Sequence, residues 1–153
     1  MSKKYIHYGS PKFFAQAFHT ITNCDGFNKP RGGLWASPVD AERSWHEWVE
    51  SNNFYPENLA TSFTFELSAD ARVLELTPDN VWDLPEDEKA FFKRDKRERS
   101  VLSMVYGIDF EALAREYDVL ECSLSKYPSL YWSLYGWDCD SILVMNPNVI
   151  VEV

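Results

Sequence analysis

The chain lacks most of the features that make a function easy to read. Its three cysteines, Cys24, Cys122 and Cys139, are odd in number and widely spaced, with no C-x-x-C and no histidine at ligand spacing. That argues against a disulfide framework and a zinc site. No window approaches 18 consecutive apolar residues, and the two lysines near Met1 are followed by no apolar h-region, so neither a membrane span nor a secretory leader is expected. The reading is a soluble, cytoplasmic protein, or one delivered into a target cell without a signal peptide. Basic residues are scarce, 15 Lys plus Arg against 24 Asp plus Glu, and the formal net charge of −9 repels polyanions. Docking on nucleic acid or an anionic membrane is therefore disfavoured. P-loop, dinucleotide G-x-G-x-x-G, H-E-x-x-H and G-x-S-x-G motifs are absent, as are repeats and linkers.

What is present fits one globular domain over residues 1–153, with 45% hydrophobic residues. Six Trp, eight Tyr and ten Phe fill a core and leave a surplus for a stacking site or an interface. Tyr5 to Tyr8 reads as a strand stopped by Gly9-Ser10-Pro11, with Pro11 opening a helix that carries Phe13, Phe14, Ala17 and Phe18. The turn-forming residues of Asn23 to Gly33, including Asp25-Gly26, predict a loop. Leu34 to Ala36 resumes as a strand. Ser37, Pro38 and Asp40 then predict a capped helix with Ala41, Trp45, Trp48 and Val49 on one stripe, ending near Asn53.

Thr61 to Leu67 alternates strictly and Arg72 to Leu76 follows after a short turn, which predicts two adjacent strands. Thr77 to Gly107, with Lys93 to Arg99 as a solvated charged face, reads as helical. Asp109 caps a helix from Phe110 to Tyr117. Val119 to Cys122, Ser141 to Met145 and Asn148 to Val151 read as strands, and Ser129 to Tyr135 as a helical turn. The whole is an α+β domain with many short strands.

Three separated stretches carry the candidate chemistry: His7-Tyr8-Gly9-Ser10, Gly33-Leu34-Trp35-Ala36-Ser37 leading to Trp45, and Trp137-Asp138-Cys139-Asp140 running into a strand that ends at Asn146-Pro147. In this order they resemble the ADP-ribosyltransferase fold, in its histidine-aromatic-acidic branch of diphtheria-toxin-like enzymes and poly(ADP-ribose) polymerases. Asp138-x-Asp140 is also similar to the paired E-x-E of other branches. The resemblance implies two small, strongly bent, mostly antiparallel sheets flanked by helices, with NAD+ as substrate, no metal, and a toxin-like transfer of ADP-ribose to a protein acceptor.

It also assigns residues. Asp140, or Asp138, is the acid beside the ribose, where charge develops as the nicotinamide–ribose bond breaks. Trp35 and Trp45 clamp the cationic ring, worth about 1 kcal/mol in cation–π attraction. His7 donates to a ribose hydroxyl, Gly9 lets the backbone approach the carboxamide, Ser37 bonds the same group, and Arg31 with Lys29 meets the pyrophosphate. Asp in place of the usual Glu and Trp in place of Tyr depart from the pattern, and Tyr8 is an insertion. An acid one methylene shorter falls roughly 1.5 Å short unless the backbone moves in.

Each assignment has a plainer rival: a structural histidine, core tryptophans on a helix stripe, turn-capping aspartates. Alternatives for the whole are a non-catalytic nucleotide- or protein-binding module, an acidic inhibitor or decoy, and an NAD glycohydrolase. A tRNA 2′-phosphotransferase shares the general fold but needs a basic cluster around phosphate that is not evident here.

Overall fold

Local alternation decides where the chain extends. The strands are Lys4–Tyr8 (β1), Leu34–Pro38 (β2), Ser62–Leu67 (β3), Val73–Glu75 (β4), Val119–Cys122 (β5), Ser141–Val144 (β6) and Ile150–Glu152 (β7). They are drawn from a computed structural model that describes residues 2–24, 28–95, 97, 99 and 103–153. In β3, Phe63 and Phe65 are buried while Thr64 and Glu66 stay partly exposed, as period two requires. In β6 every residue is buried, because strands on both flanks and apolar clusters on both faces cover it: Leu143 packs with Leu120 and Trp137, and Ile142 and Val144 pack with Phe65 and Val119.

The seven strands hydrogen-bond in one order, β4-β5-β6-β2-β1-β3-β7, where two sheets were expected. β4 and β5 run parallel, and the other neighbours in this order run antiparallel. The single sheet arises because β2 divides itself between two partners. Leu34, Trp35 and Ala36 pair with Val144, Leu143 and Ile142 of β6, whereas Ser37 and Pro38 pair with Ile6 and Tyr5 of β1. The Thr61 to Leu67 and Arg72 to Leu76 strands are not neighbours, as the alternation had suggested. They lie five places apart in the sheet, about 24 Å if it were flat. The link from Leu67 to Val73 contains a turn closed by Ala71 N–H to Ser68 O and reaches less than about 20 Å. The sheet therefore coils, bringing its two ends towards each other.

Helices are few. α1, Trp45–Asn52, begins seven residues later than Pro38 suggested: Pro38 closes β2, and Ser44 with Glu47 forms the capping pair, Ser44 Oγ accepting from Glu47 N at 3.1 Å. Asn53, at φ 49°, ends it. α2, Phe110–Glu116, is capped by Asp109 as predicted, and α3 is the short Leu130–Ser133. The helix expected around Phe13 to Phe18 shrinks to a 3-10 turn, Ala15–Ala17, none of whose residues is buried. Among the described residues no helix is long and apolar enough to cross a membrane.

The described part of Thr77 to Gly107 is also largely irregular, with a 3-10 turn at Val81–Asp83, and residues 96, 98 and 100–102 of that expected helix lie outside the described residues. An irregular segment leaves carbonyls that a helix would satisfy internally. Arg94, expected on a solvated face, is instead buried and donates to Leu84 O at 2.7 Å, Trp82 O at 3.1 Å and Tyr106 O at 3.2 Å. Replacing Arg94 by Met leaves those carbonyls without donors, with an expected loss of about 2–4 kcal/mol in urea unfolding. A loss below 0.5 kcal/mol, within the range of neutral surface changes, contradicts this role.

Asp118 ties three strand ends together. Its carboxylate accepts from Arg72 N at 2.8 Å, Arg72 Nη2 at 3.1 Å and Asn146 Nδ2 at 3.0 Å. The Arg72 side-chain bond, ahead of the others, holds its carboxyl down at about 2. A folded value below the unfolded one means the stabilisation is complete above about pH 4 and drains away as pH falls towards 2. Asp118→Asn should flatten that part of the acid-unfolding curve, and an unchanged slope there would rule the linkage out.

Candidate functional site

A cleft opens where β1 and β2 part company. Beyond Ile6 and Ser37, β1 keeps its partner β3 through His7 and Tyr8, but its pairing with β2 ends. The His7 side chain fills the place of the next ladder bond, with Nδ1 2.6 Å from Trp35 O. The acceptor is a carbonyl, so Nδ1 carries the proton and Nε2 is left as an acceptor. Burial pushes the His7 pKa down, against the opposing pull of the Trp35 carbonyl, which keeps the ring neutral at pH 7. Towards a ligand His7 can thus only accept, through Nε2, and the donor role expected for it is already spent on the protein.

The cavity beside it is about 440 Å³ and is lined by His7, Gly9, Trp35, Ser37, Trp45 and Asp138, together with Lys29, Asn58, Trp137 and Cys139. Ligand-holding clefts run about 300–1,000 Å³. Gly9 sits at φ +106° with open space where a Cβ would be, so the backbone angle rather than crowding asks for glycine. Its N–H donates to Thr61 O at 2.9 Å. Ser37 Oγ accepts from Trp45 N at 3.3 Å and lies 3.9 Å from Cys139 Sγ, so this hydroxyl hangs the start of α1 from the end of β2.

The aromatic walls differ in kind. Trp35 meets Trp137 edge to face at 4.7 Å, and the Trp137 indole N–H donates to Asn28 O at 2.6 Å. Lys29 Nζ stands over the Trp35 ring, 5.4 Å from its centroid. Trp45 stacks on Trp48 at 5.0 Å and meets the edge of Phe54 at 6.0 Å. Asp138 is half-buried; desolvation pushes its carboxyl upward and the charge of Lys29 draws it back down. The arrangement places a cation-accepting ring face, a carboxylate and an unprotonated imidazole nitrogen around one cavity.

Two expected residues are elsewhere. Asp140 is buried outside this cleft, its carboxylate accepting from Ser125 N at 2.9 Å, from Ser125 Oγ, and from Arg43 N at 3.3 Å. It borders a separate depression with Asp40 and Ser125. Two residues apart on a strand would share a face, but β6 starts only at Ser141 and the chain bends at Cys139 and Asp140, so the period-two phase is lost between the two acids. Arg31 is exposed, paired through its backbone with Thr22, and does not border the cleft.

Trp137, Asn58 and Cys139 line the site without having been singled out. Trp137 and Cys139 flank Asp138 in sequence and were legible there. Asn58 sits in the 3-10 turn Pro56–Ala60 and carries no sequence signal. Among the described residues no group of His, Cys, Asp and Glu gathers as a metal centre would need. Comparison with protein-family models, with curated proteins and with solved structures finds no significant match.

The His7 geometry is open to direct measurement. Nitrogen-15 NMR of the imidazole should find the proton on Nδ1 and a titration midpoint below about 6.5, the ordinary histidine value. A proton on Nε2, or a midpoint above that value, would dismiss the bridge between β1 and β2.

Proposed function

We propose that the cleft binds NAD+ and catalyses mono-ADP-ribosyl transfer to a protein acceptor, on an ADP-ribosyltransferase-like fold. The observation that carries this reading is the convergence of three distant stretches on one cavity: His7 and Gly9 from the β1 end, Trp35, Ser37 and Trp45 from β2 and α1, and Asp138 from the approach to β6. The coiled sheet, with β2 shared between two groups of strands, also suits the two bent sheets of that family.

In this reading the pyridinium lies against the Trp35 face, where a cation is already tolerated. The bond between ribose C1′ and the ring nitrogen breaks, its electron pair leaves with nicotinamide, and positive charge spreads over the ribose. Asp138, which lines this cavity where Asp140 does not, is the carboxylate we assign to stabilise that charge. His7 Nε2 accepts from a ribose hydroxyl and orients the sugar. A nucleophile of the acceptor protein then bonds to C1′ and gives up its proton to solvent or to Asp138. A net charge of −9 favours a basic acceptor surface over nucleic acid.

Nicotinamide release from NAD+ tests the assignment. Asp138→Asn should slow it by about 100-fold or more while NAD+ binding measured by calorimetry changes a few-fold at most. Asp140→Asn should lower the thermal midpoint instead, and exposed Asp70→Ala should leave both unchanged. Binding without release points to a binding module, and release with no modified protein by mass spectrometry points to a glycohydrolase. No NAD+ binding at all overturns the reading.

A further inference from the structure

We propose that Lys29 is a resident counter-cation, displaced from the Trp35 face by a ligand's cationic ring, whose ammonium then takes the ligand's diphosphate and joins two cavities into one two-lobed site. This deepens the NAD+ reading and rests on it. It adds a moving role for Lys29 and a place, in the second cavity, for the flat, uncharged group beyond the diphosphate.

The argument begins with position. Lys29 Nζ lies 5.4 Å from the Trp35 centroid, held by the same ring quadrupole that would hold a pyridinium. The face takes one cation at a time. Lys29 also borders a neighbouring cavity of about 240 Å³, walled by Phe92, Met104, Tyr106, Ile108 and Phe110. It is the residue common to the two linings.

Charge inventory gives the next step. Among the described residues lining both cavities, Lys29 is the one Lys or Arg, against the carboxylates of Asp138 and Asp87. A ligand bearing only a cation must evict Lys29 with nothing to receive it. A ligand bearing only an anion draws Lys29 off and leaves Asp138 and the Trp35 face without a positive partner. A ligand bearing both satisfies every group, and the apolar second cavity then receives the flat group beyond the diphosphate. Selection comes from the cost of leaving one charge unmatched in a partly desolvated site.

The backbone is built for a side-chain swing alone. Asn28 is buried, with its carbonyl accepting from Trp137 Nε1 at 2.6 Å and its amide donating to Ser133 O at 3.2 Å. The Cys24 thiol donates to Lys29 O at 3.1 Å. With the main chain pinned, the four-carbon stem is free to move its charge from ring face to linker.

Two small probes separate the two halves: 1-methylnicotinamide, a ring cation without phosphate, and ADP, a diphosphate with a flat group and no cation. In calorimetry on the wild type, saturating ADP should tighten 1-methylnicotinamide binding by at least about 3-fold, because Lys29 has been drawn away. Lys29→Met should bind 1-methylnicotinamide about 3-fold more tightly and ADP about 10-fold more weakly, and Lys29→Arg should stay near the wild type for both. Independent or competitive binding of the probes to the wild type, or shifts of both affinities in one direction in a Lys29→Met protein that melts normally, would overturn the proposal. If nicotinamide is released from NAD+ while the probes bind independently, the role of Lys29 falls alone. If the wild type neither releases nicotinamide nor binds either probe, both readings fall.

Discussion

The structure depends on β2 changing partner part-way along its length. A strand that paired fully with both β6 and β1 would close the sheet and leave no opening between them. Here three residues go to β6 and two to β1. Beyond Ile6 the freed edges need other partners, since unpaired backbone groups are costly when buried. His7 supplies one, bonding Trp35 O from its side chain. The cleft is thus a consequence of register, and the histidine in its wall first completes the fold.

The chemical character of the cleft comes from three groups that modify one another. Burial disfavours the charged form of Asp138, and the charge of Lys29 offsets part of that effect. Lys29 is in turn held over Trp35, whose ring packs against Trp137, and Trp137 is itself held by its indole N–H on Asn28 O. The result is a site already arranged for positive charge in a chain with a large excess of negative charge. Preorganisation of that kind contributes most where charge develops during a reaction.

Buried charges outside the cleft do different work. Asp140 joins the approach to α1 to the turn around Ser125, Asp118 fastens the ends of β4, β5 and β6, and Arg94 bonds three carbonyls of an irregular segment. Both carboxylates are satisfied by hydrogen bonds, and Arg94 is satisfied through Nε and Nη1 while its buried Nη2 has no partner among the described residues; such bonds are what make burial of a charge tolerable. The thiol of Cys139, pushed up to about 11 chiefly by burial, lines the cleft in its protonated form.

Much of this was legible in the sequence because it is local. Period-two alternation marks Ser62–Leu67, turn formers stop β1 at Gly9, and Asp109 announces α2; each rests on chemistry within a few residues. The capping pair Ser44 and Glu47 was equally local, yet the competing signal at Ser37 and Pro38 masked it. Six of the eight expected site residues meet in one cavity, because the three stretches that carry them end beside the gap in the sheet. Tertiary structure alone decided which strands are neighbours, which nitrogen of His7 is free, that Lys29 rather than Arg31 faces the cleft, and that Asp138 and Asp140 part. The reason is physical: alternation fixes faces within an element, whereas pairing between elements is long-range, and one bend before β6 erases the phase on which a face assignment depends.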